Sequence, residues 1–265
     1  MEAFAAAARL VGMSKQHGFL ASSAAVGSRP DPETRPAEAL YVRSYLWMRL
    51  VVGALGVLLP PLVVLIDHYG YGGKLFPRGS VSIYYYTGLR DVFVATMAAT
   101  GIFFITYKLA ELKKVDSIAS TIAGFCAVLI SQFPTGPPSD NPAGLTPLQD
   151  AIGVNAAKFV HYGASVVFLV GITVVSFYFG RREGARQRRR TRLPREFWRN
   201  LHFACSGAMV FALIWIVVTS LVHGPPDSLL TGEWIAAWAF GISWFSKGAE
   251  WDMLFGMPVP ELGSR

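Results

Sequence analysis

YLWMRLVVGALGVLLPPLVVLI, residues 45–66, is an apolar run interrupted only by Arg49 near its start. At 1.5 Å of rise per residue it is long enough, as a helix, to cross a hydrocarbon layer ~30 Å thick. The whole 265-residue chain follows suit, with 52% hydrophobic and 15% charged residues, where soluble domains carry ~25% charged residues. The apolar residues lie in long blocks almost free of charge. That distribution excludes a disordered chain, a collagen-like repeat and a small disulfide-stapled secreted domain, and points to a polytopic membrane protein. Five further blocks read as spans at Gly88–Tyr107, Ser117–Phe133, Ala156–Gly180, Leu201–Val222 and Leu230–Phe245. The expected fold is all-α, a transmembrane bundle of six helices with both termini cytoplasmic.

Residues 1–40 read as a flexible cytoplasmic leader, residues 41–256 as the six-helix domain and residues 257–265 as a short tail. Met1–Met13 is alanine-rich and reads as a short amphipathic helix, whereas residues 21–38 are small, polar and proline-bearing. The leader does not read as a secretory signal, because its apolar run lacks a basic start and is broken by Arg9, Lys15 and His17.

Charge sets the expected orientation. Arg181–Arg199 holds nine arginines and two glutamates, and nine less two equals the +7 of the entire chain. One basic connector between two apolar blocks reads as a cytoplasmic loop rather than a nucleic-acid surface. Lys108, Lys113 and Lys114 then fall on the same side, as do Arg35 and Arg43 before the first span. The opposite connectors, 67–87, 134–155 and 223–229, hold only Lys74 and Arg78. Every connector thus obeys the positive-inside rule. Cys126 and Cys205 both lie within apolar blocks and read as small packing residues.

Candidate chemistry collects at the outer mouth. His68 follows the first span, Arg90 and Asp91 open the second, Lys158 and His161 open the fourth, His223 closes the fifth and Glu233 opens the sixth. Arg90 is permanently charged and shaped to hold a phosphate or carboxylate through two parallel bonds. With Tyr85, Tyr86 and Lys158 it forms the expected ligand-binding set. Asp91 and His161 are the catalytic candidates, and His68, Asp91, His161 and His223 the metal candidates. A plainer explanation covers the same residues, because charged and aromatic side chains anchor helix ends at membrane interfaces. No HExxH, CxxC or paired HxxxH appears, no cofactor is indicated, and His161 and His202 fall at opposite ends of their spans, too far for one haem. At the inner end, Arg49 reads as a snorkelling side chain, and Lys247 with Glu250 as an ion pair or a pair of interface anchors. Gly101 and Gly163 are expected at helix contacts.

SIYYYTGLRDVFVATMAATGIFFITYK, residues 82–108, resembles a pattern in uncharacterised six-helix membrane proteins of bacteria. In that pattern a tyrosine pair and an Arg-Asp pair precede a Phe-Val run, and the helix closes on Tyr-Lys. FPT (133–135), HYGASVVF (161–168) and FGISWFSKG (240–248) resemble the remaining blocks of the same family. The resemblance implies a multi-pass protein of the bacterial inner membrane. A more distant similarity is to lipid-active families, the DRAM-type proteins and the alkaline ceramidases. The ceramidase pattern uses a Ser, an Asp and several His, onto which Ser82, Asp91 and His161 map, although its paired histidines are absent here.

Three functions follow as expectations. One is a binding protein for a lipid headgroup or small anion at the outer face. Another is an accessory subunit among other membrane-protein subunits, and the third a metal-dependent intramembrane lipid hydrolase. Membrane lipids are partners in all three, and nucleic acid in none.

Overall fold

The computed structural model describes residues 34–73, 79–107, 114–138, 144–183, 194–225 and 227–249. The leader before Thr34, Lys74, Arg78, Lys108, Lys113, the centre of the arginine block, Glu250 and the tail lie outside the described residues. The chain divides into two units, Met1–Val42 and Arg43–Arg265. In the second unit, and at its junction with the first, the described residues form seven α-helices and one 3-10 helix, without strands. Helix α1 runs Thr34–Tyr71, the 3-10 helix η1 Ser82–Tyr86, α2 Arg90–Thr106, α3 Val115–Gln132, α4 Pro147–Ile152, α5 Val154–Glu183, α6 Arg195–Leu221 and α7 Ser228–Gly248. Helix α1 thus begins inside the stretch expected to be a leader.

Four segments are long and apolar enough to cross a membrane, Arg43–Tyr71, Val115–Gln132, Val154–Glu183 and Glu196–Leu221. Helices α2 and α7 are not among them. The 17 residues of α2 span about 25 Å, and α7 dilutes its apolar side chains with Glu233, Lys247, two glycines before its last residue and several serines. The outward faces are apolar, with Phe125, Phe159, Phe211, Ile214 and Leu221 all exposed, as a lipid environment requires.

Small residues set the helix contacts, as expected where burial from water no longer drives association. A Cβ added to Gly124 on α3 would lie 2.6 Å from the Gly101 carbonyl oxygen on α2, so both glycines are needed for that approach. Gly241 on α7 meets α1 in the same way, its added Cβ falling 2.7 Å from the Gly53 carbonyl oxygen. Gly163 departs from expectation: it is exposed and a Cβ there would meet nothing within 4 Å. On α5 the contact is made two turns later, by Gly171 against Ala119 and Ala123 of α3.

Helix α1 continues through Pro60 and Pro61. Pro61 has no N–H to give the Val57 carbonyl four residues earlier. The Trp238 indole N–H of α7 donates to that carbonyl instead, at 3.0 Å. One prolyl defect is thereby converted into an interhelical bond.

At the end where α2 stops and α6 begins, Trp244 is fully buried among Phe103, Phe104, Tyr107, Phe179 and Phe240. Arg49 does not snorkel. It is 5% exposed, donates to Tyr45 Oη at 2.8 Å and to Tyr107 Oη, and sits over both rings and that of Phe179. Lys247 pairs with Glu183 of α5, while Glu250, its expected partner, lies outside the described residues. Arg182 reaches Asp116 of α3 at 2.6 Å.

Candidate functional site

At the opposite end α1, α3 and α6 finish and α2, α5 and α7 begin, and η1 lies among them. The short η1 presents different residues to two concavities. Ser82 lines an apolar chamber of about 140 Å³, with walls from α1, α2, α3, α5 and α7. Tyr85 and Tyr86 line a more polar depression of about 400 Å³ that also includes Arg90 and Leu145.

The polar depression contains most of the expected ligand-binding set. Arg90 donates to Tyr85 Oη at 2.9 Å and its guanidinium lies 4.6 Å from the same ring's centre, which keeps the exposed cation fixed over an aromatic face. Tyr86 is buried and donates its hydroxyl to the Thr135 carbonyl. Gln149 Nε2 donates back to Tyr86 Oη at 2.6 Å and to the Thr135 carbonyl at 3.3 Å. Burial pushes the Tyr86 phenol above its ordinary value, because the charged phenolate loses solvation there. Lys158 stands apart from this set. It is exposed, with Nζ 5.8 Å from the Tyr162 ring, and does not line the depression.

Gln149 belongs to α4, a short helix within the connector 134–155. Thr146 accepts from the Gln149 N–H, and the Gln149 side chain accepts from the Thr146 N–H, with Pro147 at the first helical position. This reciprocal cap is legible as the T-x-x-Q of TPLQ. It explains how a six-residue helix holds a buried amide against Tyr86.

On the other side of η1 stands a line of polar side chains. His161, 2% exposed, places Nδ1 2.7 Å from the Phe133 carbonyl and Nε2 3.1 Å from Ser82 Oγ. A carbonyl only accepts, so Nδ1 carries the proton and Nε2 of the neutral ring accepts from Ser82. Glu233 of α7 accepts the Val81 N–H at 2.5 Å through one oxygen, and its other oxygen lies 3.4 Å from Ser82 Oγ. Glu233 was visible as a charged residue opening a span, but nothing in the local pattern links it to Ser82.

The remaining candidates are not brought together. Asp91 is exposed on the first turn of α2, whereas both nitrogens of His161 are occupied by Phe133 and Ser82. His68 Nδ1 bonds the Gly73 carbonyl at 2.9 Å, and His223 is an exposed residue in left-handed backbone (φ 51°) after α6. Among the described residues no three His, Cys, Asp or Glu side chains gather as a metal-ligand set. His202 bonds Ser243 Oγ through Nδ1 at 2.9 Å in the other end of the protein.

Fold and site thus define a helical protein with four membrane-compatible helices and two concavities at one end. No family model, characterised protein or solved structure matches the chain.

Proposed function

We propose that this is a six-span protein of the bacterial inner membrane that binds a membrane lipid at its outer face, with both termini on the side of the arginine block. Helices α2 and α7 complete the span count: α2 lies in sequence between two segments long and apolar enough to cross, and α7 follows the last of them and packs against α6 through Gly232 and α1 through Gly241. The connector charges support this orientation.

The apolar chamber carries the binding reading. The space, about 140 Å³ and walled mostly by apolar side chains such as Leu59, Met97, Phe168 and Phe240, suits a small apolar group. Here it accepts part of an acyl chain. Ser82 and Glu233 lie at the chamber's polar lining, and Arg90 with Tyr85 offers a cation and a hydroxyl on the far side of η1 to an anionic headgroup.

Native mass spectrometry of the full chain in mild detergent tests this. The wild type is expected to retain an acyl lipid, and Ala237→Phe, which fills the chamber, to lose it while remaining folded. Wild-type protein free of lipid under the mildest release conditions rejects the reading. A companion test places a cysteine at residue 188, in the arginine block. Modification of that cysteine by an impermeant reagent added outside intact cells reverses the topology.

A further inference from the structure

We infer that Ser82 is a nucleophile for acyl transfer, with His161 as its general base and the apolar chamber as the site of the acyl chain. This inference rests on the lipid-binding reading and adds a reaction to it.

The geometry has the three parts that activation of a serine needs. The hydroxyl and base are in contact, with Ser82 Oγ 3.1 Å from His161 Nε2. The base is oriented by a third group, the Phe133 carbonyl, 2.7 Å from Nδ1. That carbonyl holds the tautomer whose Nε2 lone pair faces Ser82, and it can accept from Nδ1–H throughout. A backbone acceptor from the end of α3 thus occupies the place a carboxylate holds in a Ser-His-Asp array.

Glu233 does not compete for the role of base. Its nearer oxygen is 3.4 Å from Ser82 Oγ, at the long limit of a hydrogen bond, while its other oxygen is held at 2.5 Å by the Val81 N–H. It fixes the start of η1 to α7 and so acts as a positioning residue.

The third part is a place for substrate. Ser82 lines the same chamber as Thr100, Ile172 and Phe240. An acyl carbonyl at Ser82 would thread its chain past Met97 and Phe168. The substrate class that fits is an acyl ester with a hydrocarbon chain.

The step balances with water as the second reactant. Ser82 Oγ attacks the carbonyl carbon, and its proton passes to His161 Nε2. The C–O bond to the alcohol breaks, and the departing oxygen takes that proton. Water then attacks the acyl-Ser82 ester, gives its proton to Nε2, and the carboxylic acid leaves as Ser82 recovers its hydrogen. No electron is exchanged with any external group.

The test treats detergent-purified full chain with an alkyl fluorophosphonate and, separately, with 4-nitrophenyl octanoate and acetate. The expected results are one covalent adduct located on Ser82 by peptide mass spectrometry and faster hydrolysis of the octanoate. His161→Gln should slow both by roughly 100-fold or more, and Ala237→Phe should remove the preference for the longer chain. The adduct is located in the wild type, so this arm does not depend on any variant folding. Native mass spectrometry on the same preparation separates the two readings. Lipid retained with no adduct on Ser82, or octanoate hydrolysis undiminished in Ser82→Ala, overturns the nucleophile and leaves the binding reading standing. Loss of lipid from the wild type overturns the binding reading itself, and with it the assignment of the chamber to an acyl chain.

Discussion

Glu183 at the end of α5 and Lys247 near the end of α7 meet at 2.5 Å with side chains only 2% and 4% exposed. They are 64 residues apart in sequence; Lys247 lies between Ser246 and Gly248, and Glu183 follows Arg181 and Arg182. A charge so enclosed is stable only while its partner is present.

Removing one partner is therefore worse than removing both. Glu183→Gln or Lys247→Met alone should lower unfolding stability by ~3–5 kcal/mol. The double variant should recover most of that loss. Denaturant titration in mixed micelles measures all three, and additive losses in the double variant would contradict the pairing.

The Trp238 bond to the Val57 carbonyl exists because Pro61 cannot supply an N–H. Trp238→Phe should cost about 1–3 kcal/mol, the penalty for a backbone acceptor left unpaired at a lipid-facing surface. In a Pro61→Ala background the helix restores its own donor, and the same substitution should cost far less. This double-mutant cycle, read by thermal unfolding, isolates the interhelical bond from the packing of the indole.

Two glycines separate packing from composition. Gly101→Val should destabilise by ~1–3 kcal/mol through overpacking, because a Cβ there falls 2.7 Å from the Gly124 carbonyl oxygen. Gly163→Val should leave the melting temperature nearly unchanged, since nothing lies within 4 Å of its added Cβ. Equal effects at both positions would mean that the α2–α3 contact is not as close as described.

Tyr86 predicts an alkaline limit. Its phenol is raised in the folded protein by burial, from an ordinary value of 10.0. A raised group contributes stability that is complete below its unfolded value and fades as pH climbs through the folded one. Wild-type stability should therefore fall above about pH 10. Tyr86→Phe should lose that component of the pH dependence, at a fixed cost of about 1–3 kcal/mol for removing the hydroxyl that links Gln149 to the Thr135 carbonyl. Unfolding measured from pH 8 to pH 11 distinguishes the two profiles.

Much of the helical framework was legible because an apolar run of sufficient length has one low-energy answer in lipid, a helix that satisfies its own backbone. Residues 45–66, 117–133, 156–180 and 201–222 all fall within or against helices compatible with crossing. The face each helix turns inward was less legible. Gly163 and Gly171 are the same residue type on one helix, yet only Gly171 touches a neighbour. Arg49 looked like a side chain bound for the interface, and instead three aromatic rings contributed by α1, α2 and α5 enclose it.

The site divides along the same line. Arg90, Tyr85 and Tyr86 are close in sequence, and a 3-10 turn followed by a helix start keeps them together. The Ser82–His161 contact joins residues 79 apart, and Glu233 approaches Ser82 across 151. No local period encodes such distances.

Sequence alone determined that long stretches of this chain are helical, that several suit a membrane, and that the basic residues gather in one connector. Those properties depend on local composition and on backbone hydrogen bonding within a single segment. Tertiary structure alone decided which polar groups meet: Lys247 with Glu183, Trp238 with Val57, His161 with Ser82 and Phe133. Each of these pairings is stabilised by enclosure from several helices at once, and enclosure is a property of the packed whole.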